Sequence, residues 1–376
     1  LRVKMAEQAL LKNELGKQAV TQLADLLTLT MPNFSSEKFQ KQALSGLDNL
    51  ELKQRVSHLI KILAEYLPTN FDEASEVLLA IKHHWHDDGK TEIWGSFTAW
   101  PLIDYVAEYG TNHPEIALTV LKALTPLFSA EFAIRTFIEQ HFDLTYQQLV
   151  LWSQDKDEHV RRLACEGIRP RLPWGKQLSQ FCDDPAVIFP ILEHLKDDPS
   201  LYVRKSVANN LNDITKDNPE QVIALCRRWY KEASTDRLWI IRHALRSLVK
   251  DGHPDVFPLL GYSEKPQLKL QTLTVVNTTI RLGEYAEVSA GLLSNSSEIQ
   301  KLVVDYKIHH VKANGKLTAK VFKWKNITLQ PKQQLTLSKK HPFKKISTRK
   351  YYSGQHKVEL LINGVVYGGA EFDLVV

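Results

Sequence analysis

Three stretches of this chain repeat one pattern, and that repetition limits its fold more than any other feature. They are Asp157–Ala164, Ser200–Ala208 and Arg237–Ala244, each a polar opening that leads into Val or Ile with Arg, then Ala. Val160, Val203 and Ile241 mark equivalent points, 43 and 38 residues apart. That spacing is close to the period of HEAT-type helical hairpins. A hairpin of this kind stacks on its neighbours to bury its apolar face, so the repeats build a curved solenoid with a concave surface.

Apolar residues recur three and four apart through the first 260 or so positions, which predicts helix throughout. Val56, Leu59, Ile60, Leu63 and Leu67 form one such stripe, ending at Pro68. Ile116, Val120, Leu121, Leu124 and Leu127 form another. Breaks are expected where Asp, Asn or His stands beside Pro, as at Asn112–Pro114, Asp183–Pro185, Asp198–Pro199 and His253–Pro254, because Pro suits the first turn of a helix but not its interior.

Past Gly261–Gln267 the pattern becomes β-rich. Leu302–Ile308, Leu317–Trp324, Gln334–Leu337, Lys357–Ile362 and Val365–Val366 read as strands. Asn314–Gly315 and Asn363–Gly364 lie between such runs, and Asn-Gly favours two-residue hairpins, whose turn positions need positive φ. About seven short strands over this length suggest an immunoglobulin-like sandwich. The expected fold is therefore an all-α HEAT-like helical-repeat solenoid over residues 1–265, then an all-β immunoglobulin-like sandwich over residues 271–376.

The 376 residues carry a net charge of +5, which hides a division. From Gln271 onward 16 Lys and Arg face 7 acids, giving +9; the earlier residues sum to −4. A basic module on a mildly acidic one suggests that the tail grips a polyanion. The three cysteines, Cys165, Cys182 and Cys226, fit neither a metal motif nor a disulfide framework and point to a reducing cytoplasm. No apolar run reaches the ~18 residues of a membrane span. Leu1–Lys17 does not read as a secretory signal.

The densest chemistry lies in Glu158–Trp174, where Arg161, Arg162, Arg169 and Arg171 surround Glu166. Arg162 precedes Glu166 by one helical turn, so both share a face. Glu131 and Arg135 form a similar pair, and Asn209, Asn210 and Asn212 lead into Asp213. Carboxylates weaken an anion-binding face unless they stabilise positive charge. Breaking an N-glycosidic bond creates such charge on the sugar, and a carboxylate there also orients water.

The runs Glu131–Arg135, Arg161–Trp174 and Val203–Lys216, with Lys301–Tyr306, Val311–Lys316 and Leu337–His341 in the tail, resemble the AlkC branch of the HEAT-like DNA alkylation-repair glycosylases. The resemblance implies excision of small cationic methylated bases, 3-methyladenine and 3-methylcytosine, from double-stranded DNA. The base stays in the helix rather than being flipped. The implied catalytic residues are Glu131, Glu166, Asp213 and Trp174, with Asp213 or Glu166 positioning water at the deoxyribose C1′. The resemblance also implies that the tail domain helps encircle DNA. A monomer without cofactor or metal is expected.

Arg135, Arg161, Arg162, Arg169, Arg171, Arg204 and Lys205 are expected on the DNA backbone, as are Lys339, Lys340, Lys344, Lys345, Arg349 and Lys350 in the tail. His83–Asp88 has no His pair at metal-binding helical spacing and reads as a polar helix end. The competing reading is a HEAT-repeat DNA-binding or scaffold module without catalysis.

Overall fold

A computed structural model describes residues 11–85, 97–346 and 349–376. His86–Asp88, weighed above, lie outside these residues. His83 and His84 close the helix Phe71–His84.

Contacts divide the chain into two compact units. The first, whose described residues are 11–85, 97–218 and 234–240, is helical. It runs through α1 (Lys17–Thr30), α2 (Ser36–Leu44), α3 (Leu52–Tyr66), α4 (Phe71–His84), α5 (Trp100–Tyr109), α6 (Pro114–Leu124), α7 (Ile134–Gln140) and α8 (Phe142–Trp152). It continues through α9 (Glu158–Gly167), α10 (Ser179–Asp183), α11 (Phe189–Leu195) and α12 (Leu201–Ile214). Sequential helices pack in hairpins, α1 on α2 and α8 on α9, and repeats stack, as α9 does on α12. Val160 and Val203, the repeat markers of α9 and α12, are buried. Among the described residues no helix is long and apolar enough to cross a membrane.

The Arg that follows the marker valine in each of the first two repeats has a structural task. Arg161 donates to the carbonyls of Asp155 and Lys156 and binds Asp198 in a fork. Arg204, one repeat later, donates to the carbonyls of Asp198 and Pro199 and pairs with Asp236. Each guanidinium thus closes its own inter-helix turn and ties it to an acid from further along the chain. This corrects the expectation that Arg161 and Arg204 contact DNA: their forks already hold acceptors in the protein.

The second unit holds residues 219–233 and 241–376, so helices near the end of the α-rich region cluster with the strands. Among the described residues eight strands, rather than about seven, form two sheets. One has the order β1 (Leu268–Val275), β3 (Tyr285–Ser294), β6 (Gln334–Pro342). The other has the order β2 (Thr279–Arg281), β8 (Val365–Val375), β7 (Gly354–Ile362), β4 (Gln300–Val311), β5 (Leu317–Leu329). Val288, Leu292, Val304, Ile308, Val358, Leu360 and Phe372 meet in the core of this immunoglobulin-like domain.

Asn363 and Gly364 form the two-residue β7–β8 turn, with φ of 45° and 78°. Asn314–Gly315 instead lies in a longer β4–β5 connection where only Gly315 has positive φ. Gly364 has a second reason to be glycine: a Cβ there would come within 2.2 Å of the Gly252 backbone.

Three histidines are enclosed in this domain among Tyr306, Phe343, Tyr351 and Phe372. Burial pushes His310 down to about 3 and His341 to about 4, and it lowers His356 as well. Arg349 donates to Nε2 of His310, a bond that requires neutral imidazole. When the chain unfolds, each returns toward the ordinary 6.5 and takes up a proton. Their contribution is therefore complete above about pH 6.5 and declines as pH falls toward 4. Chemical denaturation of the full chain at pH 7 and pH 5 should show a lower midpoint at pH 5. His310→Phe should shrink that difference, and equal midpoints in the parent would contradict this account.

Candidate active site: a buried chain of alternating charges

Helix α9 owes its position to Asp157, whose carboxylate accepts from the His159 backbone N–H at its start. Its inward face carries Arg162 and Glu166, both buried. Gly167 ends it against Ile134 of α7, where a Cβ would come within 2.5 Å of the Ile134 side chain. This close approach brings Glu131, just before α7, to the side of α9. On the other side, Asn210 of α12 donates to the Cys165 carbonyl at 2.8 Å and fixes Ser206 and Asp213 opposite Glu166.

The three predicted carboxylates meet in one continuous network. Ser129 and Arg162 both donate to Oε2 of Glu131, at 2.8 and 2.7 Å. Arg162 also reaches Glu166 at 3.5 Å, and its guanidinium lies 4.7 Å from the centre of the Tyr202 ring. Arg169 binds Glu166 at 2.5 Å and Asp213 at 2.8 and 2.7 Å. Ser206 donates to the second oxygen of Glu166, and Lys216 to Oδ1 of Asp213 at 3.0 Å. The order is Glu131, Arg162, Glu166, Arg169, Asp213, Lys216, with signs alternating along it.

Burial raises Glu131, and the like charge of Glu166 adds to the rise against the pull of Arg162. Burial acts on Glu166 in the same direction, but Arg162 and Arg169 together outweigh it and lower its pKa. The arginines are held firmly protonated: burial opposes the charge of Arg162, yet Glu166 and Glu131 raise it. Glu166 is thus saturated by cations on one oxygen and by a hydroxyl on the other. Asp213 meets the surface through Lys216, whose side chain is 48% exposed.

Arg162 and Arg169 were expected on the DNA backbone; the structure corrects this, since both forks are occupied by buried carboxylates. Arg135 is corrected too. It is 2% exposed and donates to the carbonyls of Gly167 and Arg169, at 2.8 and 2.9 Å, and to that of Lys176. One guanidinium therefore pins both ends of the turn that carries Trp174. Among the expected DNA contacts of this unit, Lys205 is exposed and Arg171 is partly so, paired with Asp217. In the tail Lys340, Lys344, Lys345 and Lys350 are exposed, Lys339 is half-buried, and Arg349 turns inward to His310.

Trp174 stands out in a different way. It is 62% exposed and has φ of +65°, a backbone state that costs an L-residue about 1–3 kcal/mol. Lys53 of α3 donates to its carbonyl. The turn therefore presents a large aromatic to solvent from a fixed base. Beneath it lies an open cavity of about 380 Å³, lined by Lys53, Trp100, Asp104, Glu108, Phe132 and Trp174 among others. Burial pushes Asp104 up to about 7, against a lowering by its bond from Trp100.

Ser206 and Lys216 lay inside a quoted run and Ser129 two residues before another, but no local signal marked them as partners. Lys53 was missed because the Trp174 carbonyl it binds is distant in sequence, and Asp104 because a carboxylate one turn from Trp100 carries no local sign of the cavity it lines. Among the described residues no group of His, Cys, Asp and Glu is arranged to hold a metal ion.

The family model described as "DNA alkylation repair enzyme" matches residues 128–248, which hold the whole charge network. The model described as "Uncharacterised protein YhaZ, C-terminal Ig-like domain" matches residues 269–376. The chain is 37% identical to the Bacillus subtilis "Uncharacterized protein YhaZ", over 97% of its own length and 99% of the relative's. It also superposes on the Pseudomonas fluorescens alkylpurine DNA glycosylase AlkC bound to DNA containing an abasic site analog. That match has a TM-score of 0.90 and 40% identity, over 97% of this chain and 99% of the other.

Arg169 is the central cation of the network. Arg169→Met should destabilise the fold by about 3–5 kcal/mol, because Glu166 and Asp213 are left buried with too little opposing charge. Urea denaturation measures this, and a loss below about 1 kcal/mol would mean the network is dispensable for stability.

Proposed function

Since the chain belongs to the AlkC-type DNA alkylation repair enzymes, the family of YhaZ and AlkC, we propose that it is a DNA glycosylase that hydrolyses the N-glycosidic bond of alkylated bases in double-stranded DNA. Its substrates are small cationic lesions, 3-methyladenine and 3-methylcytosine. The observation that carries this reading is the buried line of three carboxylates in the segment matched by the alkylation-repair model. A protein that only held DNA would gain nothing from burying three anions beside its binding face.

An alkylated base is already a cation and leaves as a neutral molecule, so no general acid is required. As the bond lengthens, positive charge moves to the sugar, and a fixed carboxylate nearby lowers the barrier. Asp213 takes this role. Among the described residues its Oδ1 is engaged by Lys216 alone, a side chain near the surface that can yield to a phosphate and release the carboxylate to water and C1′. Glu166 bridges the two arginines and fixes Asp213 through Arg169. Glu131, whose Oε1 takes no part in these bonds, adds negative potential from the other end. Trp174 packs on the deoxyribose or on the face of the damaged pair, and the base remains stacked in the duplex.

The phosphate contacts are Arg171 and Lys205 in the helical unit, with the lysines of the sandwich. Lys339 and Lys340 lie on β6, an edge strand. Lysines there also discourage pairing with other sheets. Salt dependence separates the two roles, since only phosphate contacts release counterions.

Asp213→Asn should lower release of methylated base from methylated duplex DNA by about 100-fold or more while DNA binding is retained. Unchanged release in Asp213→Asn, Glu131→Gln and Glu166→Gln alike would favour a non-catalytic DNA-binding module. Lys344→Ala with Lys345→Ala should flatten the salt dependence of DNA binding by about one unit of slope per lysine. An unaltered slope would remove these lysines from the interface.

A further inference from the structure

The cavity beneath Trp174 contains a carboxylate that the charge network does not use. Asp104 of α5 accepts from Nε1–H of Trp100 at 2.7 Å through Oδ2. Its Oδ1 is buried and has no hydrogen-bond partner among the described residues. A buried polar atom left this way costs about 1–3 kcal/mol, so a protein that keeps one gains by filling it when a ligand arrives. Trp100 is held behind Asp104 by stacking on Phe128 and Phe132, at centroid distances of 5.1 and 5.4 Å. The exposed aromatic surfaces at the cavity are therefore those of Phe132 and Trp174. Lys53 spans the mouth, donating to the Trp174 carbonyl and lying 6.0 Å from the Phe132 ring centroid.

We propose that this cavity is a receiving site for a single free nucleobase, the planar heteroaromatic molecule that leaves the sugar. A base stacks on the rings of Phe132 and Trp174, and one of its N–H groups donates to Oδ1 of Asp104. Aromatic lining, an unpartnered acceptor at its wall and a volume of about 380 Å³ suit a ligand at the small end of the usual pocket range of roughly 300–1,000 Å³. Proteins that hold an isolated base use this same pairing of aromatic faces with edge hydrogen bonds. The cavity also shares structure with the charge network. Phe132 directly follows Glu131, and the Trp174 turn is pinned by the same Arg135 that bonds to the carbonyls of Gly167 and Arg169. The identity of the ligand as a base rests on the glycosylase reading, but its binding does not require turnover.

Equilibrium dialysis of radiolabelled free 3-methyladenine against the full chain should show saturable binding of one molecule per chain. Asp104→Leu should weaken it at least tenfold, and Phe132→Ala should weaken it too. Asp104→Asn, which keeps an acceptor, should retain most of the affinity. The catalytic variant Asp213→Asn should bind the base as the parent does, which separates this site from the reaction itself. Thermal unfolding of each variant confirms that the fold persists. Absence of saturable binding to the parent, or equal binding by a folded Asp104→Leu, would overturn the proposal and leave the glycosylase reading untouched.

Discussion

Arg169 links Glu166 to Asp213, and the arrangement of the helical unit around the site depends on that bridge. Glu166 belongs to α9, Asp213 to α12, and Arg169 to the turn that follows α9. With Arg162 joining Glu131 to Glu166, three elements distant in sequence are fixed by side-chain charge as well as by apolar packing. Removing charges from water is costly, and a network of this kind is seldom the cheapest way to hold helices together. Its retention therefore points to chemistry: the alternation holds three carboxylates at fixed positions in a dry interior, where burial raises Glu131 and the two arginines lower Glu166. Pre-set charge of this kind needs no rearrangement when a cation forms beside it.

The second level of organisation is the turn after α9. It has almost no regular structure of its own, and buried Arg135 holds both its ends by backbone carbonyls. Lys53 fixes the middle from α3. The helices before residue 90 thus take part in the site, because they supply Lys53 and one wall of the cavity. The strained backbone of Trp174 is stable only because its surroundings over-determine it.

The immunoglobulin-like domain separates its charges differently. Its interior holds histidines and aromatic rings, while many of its lysines are exposed, among them Lys340 on the edge strand β6 and Lys344, Lys345 and Lys350 after it. Arg349 is the exception, because its guanidinium is drawn inward by a neutral imidazole. Basic charge held on the surface remains available to phosphate, whereas the arginines of the helical unit are mostly committed to their own protein.

That contrast marks how much was legible in the sequence. The repeat of Val160, Val203 and Ile241 announced stacked hairpins, because a period near 40 with helical spacing has few other solutions. The change to β-rich runs and the Asn363–Gly364 turn announced the sandwich, since local backbone preference decides such turns. The unusual density of carboxylate and arginine singled out Glu131, Glu166 and Asp213, and the fold brings them together. Strands β1 to β3 were not read, because their burial patterns depend on partners far along the chain. The arginines were misjudged for the same reason. A guanidinium looks alike in sequence whether its five N–H groups meet a phosphate or a carbonyl. Arg135, Arg161, Arg162, Arg169 and Arg204 face inward because the acceptors that satisfy them arrive from other elements only after folding. The sequence by itself determined the repeat, the two architectures and the acids, since these follow from periodicity and composition. Only the tertiary structure decided which charges are spent holding the fold and which remain for DNA, because pairing depends on distances between residues that the chain order keeps apart.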